Sequence, residues 1–198
     1  MITALPEAVE LWNDPAAMIA DWEYDLGKRS MEQTVAEWVG TVSTVADLGC
    51  GVGRYAQVLN SQVCDYYGFD ATLAMIHKAT ENWHPDSLKF AQVDVFEYSS
   101  DRDYDVVLMI DVAQHQDDPI GAVVRMFELW KGDRYIFTIL CGDRRERVLN
   151  SFVEDRCDVG ATLKALGTKI LRSKHYQVGS ETFESILMEV RCARRTCD

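Results

Sequence analysis

The side chains with most capacity for chemistry stand where apolar runs end. The run Thr44–Leu48 carries Asp47 and leads into a turn holding Gly49, Gly51 and Gly53, in Asp-Leu-Gly-Cys-Gly-Val-Gly. Without a Cβ, glycine takes φ > 0 and lets its backbone lie against a ligand. The amides that open a helix from about Arg54 would then point at a negative group. A second acid, Asp70, closes the run Cys64–Asp70. It lies about 20 residues beyond the turn, where a carboxylate can take both hydroxyls of a ribose. A third, Asp94, closes Leu88–Asp94. Any one of these acids could simply cap the segment that follows it. Three in succession point to a shared ligand.

A further run ends in Ile110-Asp111-Val112-Ala113-Gln114-His115-Gln116-Asp117-Asp118-Pro119. Ligands of open α/β sheets bind beyond the carboxyl ends of the strands, so Asp111 and His115 face a reaction zone. A histidine neutral near pH 7 can take a proton from a hydroxyl; packing, or a hydrogen bond to a loop, is the other role open to it. Arg144, Arg145 and Arg147 follow at the same rim. They could clamp a carboxylate or phosphate, or pair with Glu146, Glu154 and Asp155 on a solvated helix face. His77, His84 and His175 receive no role.

The elements that must position these residues alternate regularly. Strands are predicted at Thr44–Leu48, Cys64–Phe69, Leu88–Asp94, Tyr104–Ile110 and Arg134–Leu140. Helices Arg54–Asn60, Ala71–Asn82 and Pro119–Trp130 fall between them, with a short segment Phe96–Ser100. Crossovers of this length imply a parallel sheet with helices on both faces. Asp105–Ile110, apolar nearly throughout, reads as a central parallel strand. A helical region follows at about Arg144–Leu166. Two last strands, Lys169–Val178 and Phe183–Cys192, are joined through Gly179-Ser180 as a hairpin. The expected fold is α/β: a single doubly wound, mostly parallel seven-stranded sheet ending in an antiparallel hairpin. Ahead of it, Asn13 or Asp14 with Pro15 reads as a helix start. That helix should end near Gly27, and a second should run from Ser30 to Val39 and stop at Gly40.

Composition narrows the function. A chain of 198 residues, 47% hydrophobic and 26% charged, has the size and make-up of one globular domain. No apolar run reaches the roughly 18 residues of a membrane span, and the first residues lack a signal-peptide pattern. Six cysteines without a C-x-x-C pair suit reduced thiols in a cytoplasm and argue against zinc. The net charge is −12. It is concentrated in residues 1–100, where 15 Asp and Glu face 5 Lys and Arg. Such a chain repels phosphate backbones, which disfavours duplex nucleic acid as a partner. The sequence carries no signal for an oligomeric state.

Asp-Leu-Gly-Cys-Gly-Val-Gly resembles the first motif of the class I S-adenosylmethionine-dependent methyltransferases. Its alternate glycines differ from the Gly-x-Gly-x-x-Gly of nicotinamide and flavin enzymes. The resemblance implies that Asp47, Gly49, Gly51 and Gly53 hold the cofactor, with Asp70 and Ala71 at the ribose. It also implies Asp94 and Val95 at the adenine and Ile110 beside them. The stretch at Asp111 is not the Pro-Pro-Tyr/Phe type of amino-methylating enzymes. It is similar to the Glu-x-x-Glu-His of ubiquinone-pathway O-methyltransferases and small-RNA terminal 2′-O-methyltransferases, where the acids and histidine can hold Mg²⁺. Here Gln114 replaces the second acid. A hard cation wants several charged oxygens, so Mg²⁺ is disfavoured and no metal site is assigned.

On this reading His115 and Asp111 are catalytic and the acceptor is a small molecule, methylated at oxygen. Residues 1–198 form one domain: a helical lid at 1–40, a cofactor-binding core at 44–140, and a helix with hairpin at 141–198. Trp22 and Tyr24 would line the lid, unless they pack in the core, and Arg144 would meet the acceptor. Two other readings stay open: a non-catalytic protein that binds the cofactor for a partner, and a protein or RNA methyltransferase.

Overall fold

The computed structural model describes residues 2–4, 13–14, 16, 26–83, 86–142, 156–177 and 183–192. Seven strands share one sheet: β1 (Val42–Leu48), β2 (Val63–Asp70), β3 (Leu88–Gln92), β4 (Asp103–Met109), β5 (Lys131–Gly142), β6 (Thr168–Gln177) and β7 (Phe183–Cys192). Their order is β3-β2-β1-β4-β5-β7-β6. The first five pair in parallel, and β7 runs antiparallel to both β5 and β6. This is the expected architecture. In β4, Val106 to Met109 are fully buried, as a strand covered on both faces must be.

Each face carries its own helices. Helix α1 (Leu26–Val39) and helix α2 (Arg54–Leu59) bury Met31, Val35, Trp38, Tyr55, Ala56 and Leu59 on one side. Helix α3 (Leu73–Asn82) joins β2 to β3. On the opposite side, helix α4 (Pro119–Leu129) contributes Ala122, Val123 and Met126, and helix α5 (Arg156–Ala165) contributes Val159 and Leu163. The start of α4 follows from its sequence. Asp118 accepts from the Gly121 amide at 2.9 Å and Pro119 occupies the first helical position, where a missing N–H costs nothing.

Helix α1 differs from expectation at one end. It is helical from Leu26, so Gly27 lies inside it and does not terminate a preceding helix. Packing of its apolar stripe outweighs the roughly 1 kcal/mol propensity cost of glycine. Its other end stops at Gly40 as expected, with φ +65 and the Gly40 amide bonded to the Ala36 carbonyl at 3.0 Å. The last-turn carbonyls of Trp38 and Val39 accept from Arg134 at 2.7 and 2.9 Å, and Arg172 adds a bond to Trp38 O at 3.2 Å. Both arginines also grip the buried Glu189 of β7. Positive charge at a helix carboxyl end satisfies orphan carbonyls and suits the dipole.

Other boundaries shift by a residue or more. β3 ends at Gln92, two residues short of Asp94, and β5 extends from Lys131 to Gly142. The helix expected from Pro15, with Trp22 and Tyr24, lies outside the described residues, apart from Ala16. So do 143–155, with Arg144, Arg145 and Arg147, and the Gly179-Ser180 turn. Among the described residues no helix is long and apolar enough to cross a membrane.

Candidate functional site

At the carboxyl end of β1 the chain enters a turn whose amides of Gly49 and Cys50 both donate to the Phe69 carbonyl, at 2.7 and 3.0 Å. Gly49, Gly51 and Gly53 have φ of +74, +54 and +81, the left-handed region in which glycine is unstrained. Two of them answer to neighbouring side chains as well as to conformation. A Cβ on Gly49 would stand 2.4 Å from Val112 Cγ2, and one on Gly53 would stand 2.7 Å from Trp83 Cδ1. The close approach at those positions is by protein side chains. Gly49 thereby seats the glycine turn against the loop that follows β4.

The three acids Asp47, Asp70 and Asp94 have different surroundings. Asp70 is held at both oxygens: Oδ2 accepts from the Gly51 amide at 3.0 Å and Oδ1 from the Thr72 amide at 2.8 Å. Burial nonetheless raises its pKa, against the pull of those two bonds. Each carboxylate oxygen keeps a further lone pair. The next residue, Ala71, accepts from Gln92 Nε2 through its carbonyl. Asp47 turns inward instead. It is buried, and the Tyr66 hydroxyl donates to its Oδ2. Burial pushes its carboxyl up to about 7, the Tyr66 bond opposes the shift, and the charge of Asp70 adds to it. Asp94 is exposed and caps a turn, its Oδ1 accepting from the Phe96 amide at 3.0 Å. Val95 is buried and its carbonyl accepts from Trp130 Nε1 at 2.9 Å.

Beyond β4, Ile110 is buried and Asp111 has φ +58, the one non-glycine positive φ among the described residues. Such a backbone costs on the order of 1–3 kcal/mol and gathers at functional sites. Thr138 of β5 holds it there, its Oγ1 accepting from the Asp111 amide at 2.7 Å. A single 3-10 turn, Ala113–His115, follows. Ala113 is fully buried, and the half-buried His115 donates its amide to the Val112 carbonyl at 3.1 Å. Gln114 Oε1 is buried with no hydrogen-bond partner among the described residues. Residues 2–4 bind the far side of this loop. Ala4 bridges Gln116, and Thr3 exchanges bonds with Asp117 at 3.0 and 3.1 Å.

The structure therefore brings Asp70 to Gly51, and Val112 to Gly49, placing the turn, Asp70 and the post-β4 loop at one rim. Trp22, Tyr24 and Arg144 lie outside the described residues. The sequence reading missed Tyr66, Thr138 and the ion pair of Glu32 on α1 with Arg54 at the start of α2. Thr138 had a signal, being the polar residue in the apolar run Tyr135–Cys141. Among the described residues no group of three or more His, Cys, Asp or Glu is placed to hold a metal ion.

The methyltransferase domain family matches residues 25–160, which span the turn, the three acids and the post-β4 loop. The chain belongs to that family. No curated protein sequence matches this methyltransferase. Among solved structures, magnesium protoporphyrin IX methyltransferase from Synechocystis PCC 6803, with bound SAM, superposes with a TM-score of 0.73 at 17% identity, covering 96% of this chain and 99% of that one. The N-methyltransferase NodS from Bradyrhizobium japonicum WM9, in complex with S-adenosyl-l-homocysteine, gives 0.73 at 16%, covering 95% and 99%. The 1,6-didemethyltoxoflavin-N1-methyltransferase of Burkholderia thailandensis gives 0.67 at 16%, covering 96% and 92%. Identities this low describe a shared fold.

Proposed function

We propose that this methyltransferase uses S-adenosylmethionine to methylate a small-molecule acceptor at oxygen, with His115 taking the acceptor's proton. The observation that carries the cofactor reading is the bond from the Gly51 amide to Asp70. It fixes a carboxylate with spare lone pairs beside a turn of left-handed glycines. That donor and acceptor set fits the hydroxyls of a ribose. The neighbours solved with SAM or its demethylated product support the same cofactor. Asp94 and Val95 would take the adenine and Ile110 would pack beside it. Asp47, paired with Tyr66, would act from beneath the turn as a positioning residue.

The cofactor, when bound, supplies an activated methyl group on a sulfonium. The chain aligns the acceptor, holds its proton acceptor at the rim and keeps water out. Alignment of this kind is worth roughly 7–11 kcal/mol of barrier. Thr138 holds the strained Asp111 backbone and so fixes the loop that presents His115. The acidic charge favours a small acceptor over a nucleic acid, and the Asp111-to-His115 stretch supports oxygen through its similarity to O-methyltransferases. Residues 1–198 would act as one domain, with 1–40 as lid, Trp22 and Tyr24 within it, and Arg144 at the acceptor. The buried thiols Cys50 and Cys141 suit a cytoplasmic location. Chelation should leave the rate unchanged.

Calorimetry with S-adenosylhomocysteine tests the reading. Wild-type protein should bind it, and Asp70→Ala should lose about one to two decades of affinity, the worth of bonds to a charged group. Asp86→Ala, in an exposed turn, should lose nothing. Equal affinity of wild type and Asp70→Ala refutes the ribose assignment.

A further inference from the structure

Two buried hydroxyls on the strands farthest from the glycine turn are unused by the chemistry above. Tyr176 is 7% exposed and Ser185 is 2% exposed, and neither hydroxyl has a hydrogen-bond partner among the described residues. They are direct neighbours across β6 and β7, and Ser185 also faces Leu140 of β5. Thr138, which holds Asp111, is two residues before Leu140 and therefore shares its face. Since β6 runs parallel to β5, Tyr176 lies at the carboxyl end of the sheet, the rim that carries Asp111 and His115.

The covering element is also defined. Lys174, two residues before Tyr176 and on the same face, donates to Thr34 of α1 at 2.8 Å, and Tyr176 packs in the cluster that contains Met31 and Val35. The carboxyl end of α1 is pinned at the opposite end of the sheet by Arg134, so its earlier turns lie over the rim. The two hydroxyls thus lie between α1 and the sheet, at the same end of the sheet as the loop that carries His115. A native interior seldom leaves such groups unpaired, because each one left so costs stability. Two adjacent ones at the reactive rim are accounted for by a ligand that completes them.

We propose that Tyr176 and Ser185 form the acceptor-binding floor, donating hydrogen bonds to a carbonyl or carboxylate oxygen of the methyl acceptor. Both hydroxyls have a proton to give, and the ammonium of Lys174 lies 5.1 Å from the Tyr176 ring centroid. That charge favours an electron-rich oxygen over a cation. This inference rests on the methyl-transfer reading, and the test separates the two.

The protein, saturated with S-adenosylhomocysteine, is titrated with benzoate, benzamide and benzylamine by ligand-observed NMR. Benzoate and benzamide should bind the wild type, and Tyr176→Phe and Ser185→Ala should each weaken them about two- to tenfold. Benzylamine should be indifferent to both changes. The melting temperature of each variant should equal or exceed that of the wild type, because the lost hydroxyl had no partner. A fall of more than about 3 °C, roughly 1 kcal/mol at this size, would mean a structural bond and overturn the proposal. So would equal affinity of benzoate for the wild type and the double variant, or no binding of either carbonyl probe. If S-adenosylhomocysteine itself gives no binding heat with the wild type, the methyl-transfer reading fails first and takes this one with it.

Discussion

The two halves of the reactive rim are finished to different degrees. On the β1–β2 side the polar groups are engaged within the protein. Asp70 has an amide on each oxygen, Asp47 has Tyr66, and the amides of Gly49 and Cys50 share the Phe69 carbonyl. On the β4–β5–β7–β6 side, Asp111 holds a strained backbone, and Gln114, Tyr176 and Ser185 carry buried polar atoms without partners among the described residues. The remaining buried side-chain atom without a partner among the described residues, Gln62 Oε1, lies in the turn before β2, at the opposite end of the sheet. A site whose groups are already paired is preorganised as the chain folds. On the proposed reading, the other half leaves hydrogen bonds for the acceptor to make and accepts the stability cost while empty.

Substitutions can break this contrast, and the largest effect is expected at His115. His115→Ala should lower turnover by about 10²–10⁴-fold, the usual loss for a general base, while S-adenosylhomocysteine affinity stays put. Retained turnover would remove His115 from that role. Next comes Asp47. Its folded pKa of about 7 lies above the ordinary carboxylate value. Its protonation therefore contributes stability that is fully present below the unfolded pKa and is lost as pH rises through the folded one. Urea melts of wild type should weaken between about pH 4 and 8 by on the order of 4 kcal/mol. Asp47→Asn should flatten that decline. A wild type and variant with parallel pH profiles would show that Asp47 is charged throughout.

Gly49→Ala should cost roughly 2–3 kcal/mol, from strain at φ +74 and from the collision with Val112. Adding Val112→Ala should recover the collision and leave the strain. Full recovery in the double variant would mean the backbone there tolerates a side chain. Asp118→Ala, which removes the cap of α4 on the acceptor side, should cost about 1 kcal/mol. A loss several times larger would show that the post-β4 loop is also held through that cap.

Much of the β1–β2 half was legible because its signals are local. The glycine spacing and the acids at the ends of apolar runs lie within short stretches, and the strand alternation places them at one rim. What escaped depends on residues far apart in the chain. Nothing near Asp47 announces that it turns inward to Tyr66, nor does the turn reveal that Gly49 makes room for Val112 and Gly53 for Trp83. Gly27 looked like a helix stop because propensity is local, whereas the packing that carries α1 through it is not. The pairing of Tyr176 with Ser185 follows from hairpin register, and their lack of partners from everything packed above them. Asp94 showed both of its possible roles in sequence, and the turn cap is the one visible in the structure.

The last strand has a bearing on how the protein is made. β7 follows β6 in the chain yet lies between β5 and β6. During synthesis β6 emerges with no sheet edge of its own to join, and it stays undocked until β7 arrives to bridge it. The clamp on the carboxyl end of α1 waits as well, because Glu189, which steadies Arg134 and Arg172, is delivered by β7. Helix α1 is thus secured by a residue of β7, which is made long after it. Until then its apolar stripe lacks part of its cover, which makes this the interval in which the nascent chain is most exposed to aggregation.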